Sequence, residues 1–120
     1  MKHSKTDEAA LQKMYQMQCD ICKALAHPLR LAILNRLGNE ETAAADLIAD
    51  LGISKGNLSK HMSLLAYSGI VESRRDGRQI LYRLTDPEIH KACEVMRSIL
   101  YRRLKKGEKL ALAISSVKAP

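Results

Sequence analysis

From Asp7 to about Ala26, apolar residues recur at Leu11, Met14, Met17 or Gln18, Ile21 and Leu25, the spacing of one helical face. A second stripe, Leu29, Ala32, Ile33 and Leu37 with Leu31 and Leu34 alongside, begins at His27-Pro28 and stops at Gly38. Proline suits a first helical turn and glycine a helix end, so these bounds are coherent. After the polar link Asn39-Glu40-Glu41, Thr42 is placed to cap a third helix ending at Leu51-Gly52. Ser54 is placed to cap a fourth, from Lys55 to about Tyr67, closed by Ser68-Gly69. The period then changes. Ile70 to Arg75 and Arg78 to Leu84 alternate, are rich in β formers and flank Asp76-Gly77, a two-residue hairpin signal. Thr85-Asp86-Pro87 opens a last helix running to about Lys106, with Ile89, Ala92, Cys93, Met96, Ile99 or Leu100, and Leu104 as its stripe. At ~1.5 Å rise per residue that helix is roughly 30 Å long, suited to packing on a symmetry mate. Gly107 ends it, and Lys109 to Ser115 is expected to add a short turn. Residues 1–6 and 117–120 are expected to be loose. With no repeat or low-complexity segment, 1–120 is expected to be a single domain with a core of about 15–105.

The order helix, tight turn, helix, two-stranded ribbon over 47–85 predicts a mainly α fold with a β-hairpin wing. A winged helix-turn-helix of this kind sets one helix in the major groove of DNA. Composition sharpens the picture. The chain has 120 residues and neither Trp nor Phe, so its core must be aliphatic. A small helical domain with so few aromatics has limited apolar area to bury, and a dimer interface would add to it. The net charge of +7 favours polyanionic partners. Between Ile53 and Thr85 there are six Lys or Arg against two acids, so the excess sits on the helix-turn-helix and its ribbon. The chain carries no apolar run able to span a bilayer and no secretory core after Met1, so it is expected in the cytoplasm, off the membrane, with its cysteines as thiols. No phosphate loop, nucleophile elbow or HExxH motif is present, and Cys19-Asp20-Ile21-Cys22 lies in helical context, so an enzyme is not expected.

Three stretches, LAHPLRLAIL (25–34), ISKGNLSKHMSLLAYSGIVESRRDG (53–77) and QILYRLTD (79–86), resemble the ArsR/SmtB family of winged-helix repressors, and with the flanking helices the resemblance covers about residues 15–105. It implies a homodimer built through the first and last helices, binding a double-stranded DNA operator and leaving it when an effector binds. The fourth helix is the recognition helix of that resemblance. Ser54, Lys55, Asn57, Ser59, Lys60 and His61 are the expected contacts, since Asn reads adenine edges, Lys reads guanine or phosphate, and Ser reads either. His61 is equally compatible with helix packing. Leu58, Met62 and Leu65 point inward by the same periodicity. Gly56 departs from the family's usual Ser, Ala or Pro. It either lets DNA approach the backbone or loosens the first turn. In the wing, Arg74, Arg75 and Arg78 are expected on phosphate or in the minor groove.

The family's metal sites can be tested against this sequence. A Cys-x-Cys pair at the start of the third helix is absent, because both slots are alanine within 41–46. A site on the last helix finds Glu88 and His90 in its first two slots but Tyr101 and Leu104 downstream, so His90 is expected at the surface. The remaining candidates are Cys19, Cys22 and Cys93. Cys19 and Cys22 are three apart and share a helical face, and Cys93 lies on the stripe of the last helix. Three thiolates with no His or carboxylate suit a thiophilic ion: As(III) or Sb(III), or Cd(II), Pb(II) or Hg(II). Ligation would clamp the interface helices and lower DNA affinity. Two alternatives stay open: a thiol redox or reactive-sulfur switch bridging two of these cysteines, and cysteines that only fill the core. An interaction module without an effector is a further reading.

Overall fold

Ser4 starts the first helix. In the computed structural model, which describes residues 4–105 and 113–116, its Oγ accepts from Asp7 N–H at 3.1 Å and its own N–H donates to the Asp7 carboxylate at 3.3 Å. This reciprocal cap satisfies two orphan donors and starts α1 (Lys5–Leu25) ahead of the expected Asp7, among residues expected to fray. α2 (Pro28–Leu37) follows at once, with His27 as its cap: the His27 Nδ1 accepts from Leu29 N–H at 3.0 Å.

Thr42 is not a helix cap. Thr42–Ala43 form a short strand, β1, paired with Tyr82 and Leu81, and α3 (Ala44–Leu51) begins from Ala43 with no side-chain cap. A two-residue strand has no period to read, and its pairing partners lie about 40 residues away. α3 ends at Gly52 in the left-handed region, φ 63°, and α4 (Lys55–Tyr67) starts from Ser54, whose Oγ accepts from Asn57 N–H at 3.0 Å. β2 (Val71–Asp76) and β3 (Gln79–Leu84) complete an antiparallel sheet of order β1-β3-β2. Asp76 pairs with Gln79, so the turn residues are Gly77-Arg78, one position later than expected. Gly77 has φ 63° and Arg78, like every described residue other than glycine, does not have positive φ, the combination of a type II′ turn with glycine first. α5 (Glu88–Leu104) is entered through Asp86, whose carboxylate accepts from Glu88 N–H at 2.9 Å.

The core joins α2 (Ile33, Leu34, Leu37), α3 (Leu47), α4 (Leu58, Met62, Leu65) and the sheet (Val71, Leu84), with Ile70 between them. Thr85 closes it, donating its N–H to the Ile70 carbonyl and its hydroxyl to the Gly69 carbonyl. α1 contributes only Ala24 to the buried set. Its row Met14, Met17 and Ile21 stays exposed, as do Val95, Met96 and Leu100 of α5. These stripes therefore do not serve the chain's own core. α5 is fixed to α2 instead by Arg97 Nη2 donating to the Asn35 Oδ1 at 2.9 Å. No helix among the described residues is long and apolar enough to cross a membrane. The expected break at Gly107, the turn from Lys109 up to residue 112, and the end from Val117 lie outside the described residues. Residues 113–115 are helical.

Candidate nucleic-acid interface

Two faces of α4 do different things. Leu58, Met62 and Leu65 are buried, which locks the helix to the core. Lys55, Gly56, Asn57, Ser59, Lys60 and Ser63 are exposed on the other side. Ser54 lies at the same end, but its Oγ lone pair already serves the cap, leaving its O–H as a donor. A Cβ added at Gly56 would meet nothing within 4 Å, so no packing demand inside the chain explains the glycine. Tyr67, 94% exposed and seven residues after Lys60, extends the polar face toward the end of the helix. The sequence marked it only as the end of this helix, although its spacing from Lys60 also puts it on the same face.

His61 belongs to the inner face, which corrects its inclusion among the expected DNA contacts. It is only 5% exposed, sits 3.2 Å from Arg30 through Nδ1, and packs its ring against His27. Burial, with His27, Arg30 and Lys60 around it, holds its imidazole below the usual histidine range. Arg30 was not anticipated by any motif, because its partners Ala24 and His61 lie 6 and 31 residues away in sequence and on two other helices.

The wing's arginines divide in two. Arg74 makes a bidentate pair with Glu41, both contacts 2.8 Å, and Arg83 pairs with Glu72 across the ladder. The Arg74 hydrogen bond holds the Glu41 carboxyl below its usual value, and the same contact raises Arg74. Arg74 therefore braces β2 against the segment before β1, a role that its proximity to the turn concealed. Arg75 and Arg78, at the tip, are exposed and form no ion pair among the described residues.

The thiols lie on the two partly unpartnered helices. Cys19 and Cys22 are exposed on α1 beside Tyr15, flanking the Met14–Met17–Ile21 row, and Cys93 is half-buried on α5. Burial raises the Cys93 thiol, and nearby Arg97 opposes that shift. Among the described residues no three His, Cys, Asp or Glu side chains of one protomer come together as a metal site. His90 is not at the surface as expected: it is 4% exposed, its Nδ1 has no hydrogen-bond partner, and its Nε2 lies 3.5 Å from the Glu94 carboxylate.

Residues 25–74 match a helix-turn-helix domain family model. An HTH-type transcriptional regulator of Mycobacterium tuberculosis, Rv0081, is 33% identical over 94 residues, covering 78% of this chain and 82% of the relative. The chain belongs to the ArsR/SmtB family of helix-turn-helix transcriptional regulators. The crystal structure of Rv0081 superposes with TM-score 0.69, covering 77% of this chain and 93% of that one. The biofilm growth-associated repressor of Xylella fastidiosa is 37% identical over 76 residues, 63% of this chain and 67% of that repressor. A homodimeric winged helix-turn-helix DNA-binding domain from Mycobacterium bovis, a possible ArsR-family regulator, matches with TM-score 0.72 at 26% identity over 88% of this chain and 94% of its own. The ArsR/SmtB relatives of this chain are thus transcriptional regulators and repressors, and its fold is the winged helix-turn-helix.

Proposed function

We infer that the protein is a dimeric, DNA-binding transcriptional repressor released from its operator through its cysteines. The observation that carries the DNA-binding part is the division of α4: one face is sealed into the core, and the other presents Lys55, Asn57, Ser59 and Lys60 uncovered beside the free arginines of the wing. A helix held this way enters the major groove as a rigid body, with the wing tip reaching the flanking phosphates. Replacing Arg75 and Arg78 together by Ala is expected to weaken binding to all duplexes alike. It should also reduce the slope of log affinity against log salt by about 2, since each phosphate contact contributes ~0.9. Fluorescence anisotropy across a salt series measures this, and an unchanged slope removes the wing from the interface.

The exposed apolar rows of α1 and α5 support a second copy of this chain as their occupant, and the Mycobacterium bovis neighbour is homodimeric. Dimerisation through those helices would bring α1 of one protomer toward α5 of the other. Cys19 and Cys22 with Cys93 would then form a three-thiolate site for As(III), Sb(III) or a soft divalent ion, assembled between protomers. Exposure of Cys19 and Cys22 one helical turn apart favours a second reading, in which a two-electron oxidant or a polysulfide links two of the thiols. Titrating the reduced protein with arsenite and with Cd(II), followed by thiolate absorbance and intact mass, separates them. Stoichiometric binding lost in each of Cys19→Ser, Cys22→Ser and Cys93→Ser supports the ion site. No tight binding, with a disulfide forming under mild oxidant, supports the redox switch.

A further inference from the structure

A guanidinium only donates hydrogen bonds, so the 3.2 Å contact from Arg30 Nη1 makes His61 Nδ1 the lone-pair nitrogen of that ring. His61 is therefore neutral, with its proton on Nε2. The His27 Nδ1 accepts from Leu29 N–H. The two rings stand 4.6 Å apart between centroids, tilted by 52°. Arg30 is held from its other side, where Nε donates to the Ala24 carbonyl at 2.6 Å near the end of α1. One line of contacts thus runs from the end of α1 through Arg30 to His61, which sits between exposed Lys60 and buried Met62 on α4.

We propose that Arg30 and His61 are positioning residues for DNA binding, a latch that holds the recognition helix in register while His61 is neutral. The inference rests on the DNA-binding reading above. Protonating Nδ1 would turn an N–H and a positive charge toward a guanidinium that can offer neither an acceptor nor a negative charge. The described groups that act on the ring, His27, Arg30 and Lys60, do not offset this. α2 and its cap present Arg30 and His27 to the ring, α4 itself presents Lys60, and α1 is linked to it through the Ala24 carbonyl that Arg30 uses. Leu47 of α3 and Val71 of β2, which share the core with Leu58, Met62 and Leu65 of α4, are apolar. The charged ring must therefore leave its place, and the turn of α4 that carries Lys60 moves with it. Because the folded protein holds this imidazole below its usual range, the latch is intact at neutral pH and above. It is lost as pH falls through that lowered value, where the folded ring takes up its proton.

The sign of the effect separates this latch from ordinary electrostatics. Protonating histidines near DNA adds positive charge and strengthens binding to phosphate. The latch requires the reverse: affinity should fall on acidification, approaching about tenfold per pH unit for one linked proton. The test uses the full chain and a duplex enriched by that chain from a random library at neutral pH. Affinity is measured by anisotropy from about pH 7.5 to about pH 5.5, beside a thermal melt at each pH. The native chain should lose affinity while still folded. His61→Asn, which keeps an acceptor near the Nδ1 position but cannot titrate, should bind a few-fold more weakly at the top of the range. It should show no acid loss. Ring ¹⁵N NMR of the native chain supplies a readout independent of any variant: His61 should carry its proton on Nε2, and its midpoint should coincide with that of the affinity loss. Affinity that rises on acidification, an acid loss that survives in His61→Asn, or a His61 midpoint apart from the loss overturns the latch. Failure to enrich any duplex at neutral pH would instead remove the DNA-binding reading beneath it.

Discussion

Leu65→Ala is expected to destabilise the fold by about 2–5 kcal/mol, the range for truncating a fully buried leucine. Leu65 has no exposed surface, lies on the inner face of α4, and its carbonyl accepts the Ile70 N–H that opens the sheet. The cavity left behind would sit where α4 joins the core shared by α2, α3 and the sheet. Small domains hold only about 5–15 kcal/mol in total, so this one change would consume a large fraction of it. Urea unfolding at fixed protein concentration measures the loss, with the concentration held because dimer formation shifts apparent stability. A loss under about 1 kcal/mol would mean that α4 is not anchored through this residue. Weaker DNA binding by the same variant would then follow from a loosened recognition helix, with every exposed side chain intact.

Met96→Asp is expected to do the opposite: leave the fold of the protomer nearly unchanged and abolish tight DNA binding. Met96 is 67% exposed in the chain, so replacing it costs the protomer little, about 0.5 kcal/mol or less. In a dimer packed through α1 and α5 the same position would be covered, and a carboxylate there would be desolvated without a partner. The protein should sediment as a monomer at concentrations where the native chain is a dimer. Its affinity for a two-half-site duplex should fall by about 10²–10⁴, because the second recognition helix no longer engages as a tethered unit. Ultracentrifugation and anisotropy together read this out. A variant that remains dimeric with full affinity would place the interface elsewhere and would leave the apolar rows of both helices without an occupant. It would also dissolve the case for a cysteine site assembled between protomers, since that case depends on α1 meeting α5.

Much of this protein is written in its periodicities. Helical stripes, the Ser54 cap, Pro28 and the change to alternation after Ile70 are local signals, because each depends on residues within a turn or a strand of one another. They were enough to place all five long helices, the wing, and an uncovered polar face on α4 carrying Lys55, Asn57, Ser59 and Lys60. The strand at Thr42, the brace between Glu41 and Arg74, and the burial of His61 and His90 were decided only by the tertiary structure. In each case the partner is distant in sequence or on another element, and no local pattern encodes such a pairing. His61 shows this most plainly. Its position on α4 permits either face, and it was the arrival of Arg30 and His27 from α2 that turned it inward. The same holds for the apolar rows of α1 and α5: spacing marked them as faces to be buried, but only the folded chain showed that its own core leaves them uncovered.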